Sequence, residues 1–503
     1  MKPHPSAPAP WGRSAGILGA GLLTATVLAA LAPTPARAAD GKPEMSPGVQ
    51  PAPHSRSVFA PDPKYSVRDY DPKQQVEIYG GKKKIVDAPR PLVELGEPLY
   101  KEGPLQPNYD IIGRKNLVSP AFSVYGDFRA AVAYNDNGQN KKIGQVATRL
   151  NLDVDLSFTA TERVHALFRP LDKGGKFTRS EFFGPNARES EIILDAYPRT
   201  FFFEGDIGNI MAGLTDRYQS FDLPFTVGLV PLIFQNGVWF NSAITGGAFS
   251  IIGRNSARAN IANFDLTFFG GFDKVTLRQV YGAAAFIEAN EGYWEAGIGG
   301  VNDERKFANS SFESVTVAFT KRYGGWLSNS VRLVGTIGNS PLATQKRTED
   351  GFIVLMENSL ISHKPLVLVP YLNLWAGFGR PQSLLRNADA GGILNNTGIL
   401  FQTDGLTGFP KMDDTGQDTY GAAIGVNYLF DLDQQIVLEA ATVQVIDGPL
   451  QPGRAAKAEQ YGVGARYQKN LSKALIFRAD VMYAERRRDD DIAGIRTELR
   501  LKF

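Results

Sequence analysis

The chain has no cysteine, which excludes disulfides, thiolate metal sites, c-type haem attachment and cysteine nucleophiles together. Histidine is nearly as scarce, with His54, His165 and His363 the only ones beyond His4. None of them pairs with another at a spacing suited to a metal site on a helix or hairpin. Charge of one sign is lacking too: the formal net charge is +2, which gives no bulk electrostatic case for nucleic acid. Beyond residue 32 no apolar run is long enough to cross a bilayer as a helix, and the mean hydropathy is −0.19. No cofactor or metal follows from this inventory, and an enzyme is the last-ranked reading.

The N-terminus is read as a signal peptide over residues 1–38. Lys2 and Arg13 supply a positive start, residues 14–32 an apolar stretch, and Ala36-Arg37-Ala38 a small-x-small cleavage pattern. Residues 39–118 hold twelve prolines and the Lys82-Lys83-Lys84 run, so they are expected to form an extended or disordered periplasmic segment.

From Ala121 onward the pattern has period two. Arg149, Asn151, Asp153, Asp155 and Ser157 share one face of a strand, and Leu150, Leu152, Val154, Leu156 and Phe158 share the other. This alternation repeats with no helical pattern between the strands to cover an apolar face. A sheet closed on itself, apolar side to lipid and polar side to a lumen, resolves that. The expected fold class is all-β: a transmembrane antiparallel β-barrel over 119–503 with about 18 strands, 16 being the alternative count. Residues 190–203 and 210–216 are read as its fourth and fifth strands. Short connections such as Thr161-Glu162, Glu291-Gly292 and Asp431 to Gln434 alternate with long ones such as 172–189, 217–237 and 380–419, as a barrel with periplasmic turns and outer loops requires.

The last residues, Ile495 to Phe503, alternate charged and uncharged positions and end on an aromatic. This resembles the closing strand of bacterial outer-membrane proteins, and over roughly 119–503 the chain resembles outer-membrane porins as an architecture. The resemblance implies a bacterial outer-membrane location, outer-membrane lipids and the barrel-insertion machinery as partners, Phe503 as an assembly signal, and a homo-oligomer as an open option. The 31 Phe and 18 Tyr suit the aromatic girdles of such barrels.

Candidate pore-lining residues are Arg129, Arg149, Asp153, Asp155, Arg332, Arg466, Arg478, Asp480, Arg496, Glu498 and Arg500, a mixed and slightly positive set. The stretch Phe221 to Phe234 is too apolar to lie in water, and Pro224 and Pro231 speak against regular structure. It is therefore expected either to pack against a neighbouring subunit or, as the preferred reading, to fold inward as a constriction loop through Phe221, Asp222, Phe225 and Phe234. Two weaker motifs are set aside. Asp172 to Thr178 lacks the spacing of a phosphate-binding loop, and Asp404, Asp413, Asp414 and Asp418 lack that of a calcium site. The expected function is passive diffusion of small hydrophilic solutes with a weak anion preference. The alternatives are a barrel scaffold that docks an envelope component through 39–118 and, last, an outer-membrane enzyme.

Overall fold

The computed structural model describes residues 89–96, 108–138, 142–275, 277–302, 311–338, 350–361, 367–402, 405–430, 433–446, 454 and 456–503. The expected signal peptide, most of the Pro-rich segment, His54, His363 and Asp404 lie outside the described residues. All described residues belong to one unit, Arg68–Phe503.

Eighteen wall strands form a closed antiparallel barrel. They are β1 Ala121–Asp136, β2 Lys142–Ser157, β3 Arg163–Phe168, β4 Pro198–Asp206, β5 Pro224–Phe234, β6 Phe240–Ser256, β7 Ile261–Asp273, β8 Gln279–Ala289 and β9 Gly292–Asn302. The ring continues with β10 Phe312–Tyr323, β11 Leu327–Gly338, β12 Gly351–Leu360, β13 Leu368–Gly379, β14 Thr419–Phe430, β15 Gln434–Val445, β16 Gln460–Asn470, β17 Leu475–Arg486 and β18 Ile492–Lys502. Pairing of Asp127–Asp136 with Ala493–Lys502 closes it. At that seam the Phe503 backbone exchanges hydrogen bonds with Gly126. Beyond Phe503, the short strand Val93–Gly96 takes over the same edge of β1 at Ala121–Val124.

The period-two pattern decides which side chain faces where. On β18, Arg496 and Glu498 point inward and are buried, while Ile495, Leu499 and Leu501 point outward and are exposed. Tyr134, Val146, Ile424, Val463, Val481 and Tyr483 continue that bare apolar surface around the ring. So much exposed apolar area is untenable in water and is the lipid face of a membrane barrel. At one end the connections are tight. Asn290 and Glu291 join β8 to β9 with φ of 59° each, the left-handed pair of a type I′ hairpin turn.

Two expectations for the early barrel are corrected. Residues 210–216 are not a strand but the end of helix α1, Ile207–Thr215, with Asp216 as its C-cap. Ile207, Ile210, Met211 and Leu214 recur at helical spacing, and the Asp206 side chain caps the start by accepting from Asn209 N at 2.8 Å. Residues 224–234 are not a loop but the wall strand β5, paired with β4 through Pro224–Leu229 and with β6 through Phe225–Phe234. Its prolines are tolerated by position. Pro224 is the first residue of the strand, and Pro231 lies past the last residue paired with β4. The expected count of eighteen strands thus holds with one false strand replaced by one that was missed.

The third correction concerns residues 380–419, expected to form the largest outer loop; Thr419 begins β14 and residues 380–418 are the connection. They turn back into the lumen. Leu384, Leu394, Leu400, Phe401 and Met412 are almost fully buried, in one cluster with inward residues of the wall such as Val280, Phe312, Val334, Ile353, Trp375, Val443 and Met482. Part of the barrel interior is therefore a packed apolar core.

Candidate functional site: an arginine-lined eyelet beside the inward segment

The inward segment is tied to the wall along its length. Gly379, at φ +65°, turns the chain, and its N–H donates to Asp418 at 2.7 Å. Leu385-Arg386 then lie parallel to Phe240-Asn241 of β6, and Leu384 N donates to Trp239 O at 2.7 Å. Across the lumen, Glu439 of β15 accepts the N–H groups of Ile399 and Leu400 at 2.9 Å each and the Tyr371 hydroxyl. Asn135 and Gln145, on β1 and β2, both donate to Thr407 O. Between these tethers Phe401 packs edge-on against Trp375, ring centres 5.0 Å apart. Each fully buried side chain of this size contributes about 1.5–3 kcal/mol, so Leu394, Leu400, Phe401 and Met412 offset part of the entropy lost in ordering the segment, alongside its backbone tethers.

The segment leaves space on one side, against β1, β2 and β16–β18. A cavity of about 130 Å³ there is walled by Arg129, Arg149, Arg466, Arg478, Arg496 and Glu498, and on the segment's side by Asp389, Ile399, Gln402, Gly405 and Phe409. Three guanidiniums share one carboxylate: Asp480 accepts from Arg466 and Arg496 at 2.7 Å and from Arg478 at 2.8 Å. Two more share Asp127, Arg129 at 2.8 Å and Arg500 at 3.0 Å, with Asn151 as an additional donor at 3.0 Å. Arg149 and Arg199 share Asp172, and Arg169 pairs with Asp389 at 3.0 Å. In this group eight guanidiniums face five carboxylates, so ion pairing leaves positive charge over in a low-dielectric wall. Two of the arginines also lie over rings: Arg496 is 5.5 Å from the centre of Phe409 and Arg149 is 5.6 Å from that of Phe177.

Of the residues singled out from the sequence, Arg129, Arg149, Arg466, Arg478, Asp480, Arg496, Glu498 and Arg500 come together here. Asp155 lies elsewhere on the inner wall, bonded to His165 and to the Tyr125 hydroxyl at 2.6 Å, with Asp153 on the same face of β2. Arg332 is in a separate place, donating to Gln235 O at 2.7 Å and lying 3.2 Å from Glu357. The expected constriction is displaced. Phe234 packs in the lumen core against Phe269 and Phe240, but Phe225 packs on Phe203 of the neighbouring strand. Phe221 and Asp222 lie in the connection between α1 and β5. Narrowing of the lumen is the work of residues 380–418 instead.

Sequence reasoning passed over Arg199, Phe177, Asp389 and Phe409. Phe177, Asp389 and Phe409 sit in connections, where no alternation marks them, and Arg199 is the second residue of β4, next to its boundary. Their signal was available only as charge and aromatic content in segments long enough to reach inward. The stretch Asp172 to Thr178 forms a small hairpin whose Phe177 is buried. Asp413 and Asp414 fasten backbone N–H groups of Thr415, Ala456 and Gly392. Burial pushes the Asp413 carboxyl above the usual carboxylate range, against the donors that favour its ionised form. Among the described residues no group of His, Asp and Glu is arranged to hold a metal ion.

No family model matches the chain. No curated relative matches it either. Several solved structures are similar in fold. Pseudomonas aeruginosa OccK2 (OpdF) aligns with a TM-score of 0.49 and 10% identity over 76% of this chain and 97% of that one. Pseudomonas aeruginosa OpdK, solved with vanillate, gives 0.48 and 11% over 76% and 98%. Pseudomonas aeruginosa OpdL gives 0.48 and 13% over the same shares, 76% and 98%.

Proposed function

We propose that the protein is a passive channel of the bacterial outer membrane for small hydrophilic solutes, and that its eyelet favours anions. The observation that carries the reading is the excess of guanidiniums over carboxylates around a space only about 130 Å³ in volume. Fixed positive charge in a low-dielectric wall concentrates the counter-ion. Planar guanidinium forks also offer a carboxylate or phosphate a succession of paired donors, which a ring of lysines would not. The carboxylates that remain hold the arginines in place and keep the site from binding an anion so tightly that it could not leave. The leader over residues 1–38 and the terminal Phe503 belong to the same proposal, as the export and assembly parts of an outer-membrane location.

Reversal potentials in planar bilayers under a potassium chloride gradient test it. Anion preference is expected, with a smaller preference after Arg478→Gln. A cation-preferring or non-conducting barrel overturns the reading.

A further inference from the structure

A second cavity, about 460 Å³, lies under the turn 235–239 and against β8–β12, nearly half-way round the ring from the eyelet. Its floor is aromatic. Phe286 of β8 and Tyr293 of β9 face inward with ring centres 5.5 Å apart and planes 23° apart, and they remain 37% and 46% exposed. Girdle aromatics of a barrel face lipid. These two stand on the inward parity, paired across the strands with Glu295 and Thr320. Bare ring area costs about 25 cal/mol per Å² while it faces water, and among the described residues none of the inward segment lines this cavity.

Around the rings the wall offers hydroxyls and carboxylates in place of an arginine excess. Thr320 and Ser330 hydroxyls bond each other at 2.8 Å, and Glu295 and Glu357 both line the space. The one guanidinium, Arg332, is held by Glu357 at 3.2 Å and by Gln235 O at 2.7 Å. An anion suited to the eyelet is disfavoured here by the carboxylates. A ring with one C–H face and a rim of hydroxyls matches on both counts. Its apolar face covers the aromatic pair, and its hydroxyls donate to Glu295 and Glu357. The volume falls in the range of small-molecule sites, about 300–1,000 Å³.

We infer that the aromatic floor formed by Phe286 and Tyr293 is a subsite for a neutral carbohydrate, separate from the anion eyelet. The inference rests on the channel reading only in that a solute must reach the lumen, and binding is read apart from conduction. Maltose binding to the full-length folded barrel in detergent, followed by saturation-transfer NMR, is expected for the native chain. Phe286→Leu with Tyr293→Leu, which keeps apolar volume but removes the flat faces, should weaken binding about tenfold. Glu295→Gln, a milder change, should weaken it about threefold. The anion preference of both variants should match the native value. A native barrel that conducts but does not bind maltose, or variants that bind it as tightly as the native chain, overturns the subsite. A folded barrel that binds maltose but does not conduct leaves the subsite standing and removes the channel reading.

Discussion

Residues 224–234 and 380–418 both depart from the alternation of the wall, and they went opposite ways. The first is Pro-Phe-Thr-Val-Gly-Leu-Val-Pro-Leu-Ile-Phe, almost wholly apolar, and it became a strand of the wall with Val227 and Ile233 toward lipid. The second is rich in Gly, Asn and Asp, and it entered the lumen, where Leu394 and Phe401 are 0% exposed. In a water-soluble protein the apolar stretch would be the interior and the polar one the surface. A barrel in a bilayer reverses the first half of that rule, because continuous apolar sequence is satisfied by lipid on one side and core on the other. A segment inside the lumen needs something different. Its backbone must find polar partners on the wall, while a few apolar side chains spaced along it fill the gaps.

The two segments should therefore respond oppositely to deletion, and this is the largest effect expected. Replacing 392–415 by a short Gly-Ser linker should raise single-channel conductance severalfold, since excluded volume limits flow, with a normal amount of inserted barrel. Removing 224–234 should abolish insertion, because β4 and β6 lose their shared neighbour and the ring cannot close. Fractionation of outer membranes, combined with conductance, checks both. Normal insertion without 224–234 would break the comparison at its root.

How much of this was legible beforehand follows from the same physics. Period-two faces in β1, β2 and β12–β18 were readable because each strand has one wet and one greasy side, and the arginine wall was readable with them as inward parity. Strand β4 was read with shifted bounds and β5 was not read at all, because α1 interrupts the spacing and a strand apolar on both faces shows no period. The inward fold of 380–418 was hidden for another reason. Its tethers are backbone groups received by single wall residues such as Glu439, and the lengths of a loop and its glycines do not say whether it turns out or in.

A sharper test of the polar half of the comparison lies at Glu439. Glu439→Ala leaves the N–H groups of Ile399 and Leu400 buried without acceptors, at a cost of roughly 1–3 kcal/mol each. The inward segment should then loosen, seen as rapid current fluctuations toward a larger open level. Steady native currents would show that apolar packing alone holds it.

Smaller again is the effect expected on the wall itself. Asp480→Asn removes the negative charge shared by Arg466, Arg478 and Arg496 and turns one of its two accepting oxygens into a donor amide. Breaking such a buried cluster costs roughly 3–5 kcal/mol in general, spread here over a barrel with many other ties. Anion preference should rise while thermal stability falls. A preference that falls would mean that Asp480 orders the arginines more than it cancels them.

The smallest effect is expected outside the wall strands, where Glu162 joins the turn after β2 to α1. Its carboxylate accepts from Asn116 at 2.7 Å, Thr161 at 2.8 Å, Thr159 and the Asp206 backbone at 3.2 Å. Burial alone would raise its pKa, but these donors outweigh it and hold the group below the usual carboxylate range. A folded pKa depressed below the unfolded value, about 4.3 for glutamate, stabilises at every pH above that value, and the benefit is lost as pH falls through the folded pKa. Glu162→Gln keeps the shape and removes the charge. The melting temperature of the native chain should exceed that of the variant by a constant small margin from pH 6 to 8, and the margin should close below about pH 4. A margin that persists at acid pH would assign the role of Glu162 to accepting from four donors rather than to its charge. It would also leave the junction of α1 to the close contact of Gly113 and Gly213, whose backbones leave no room there for a side chain.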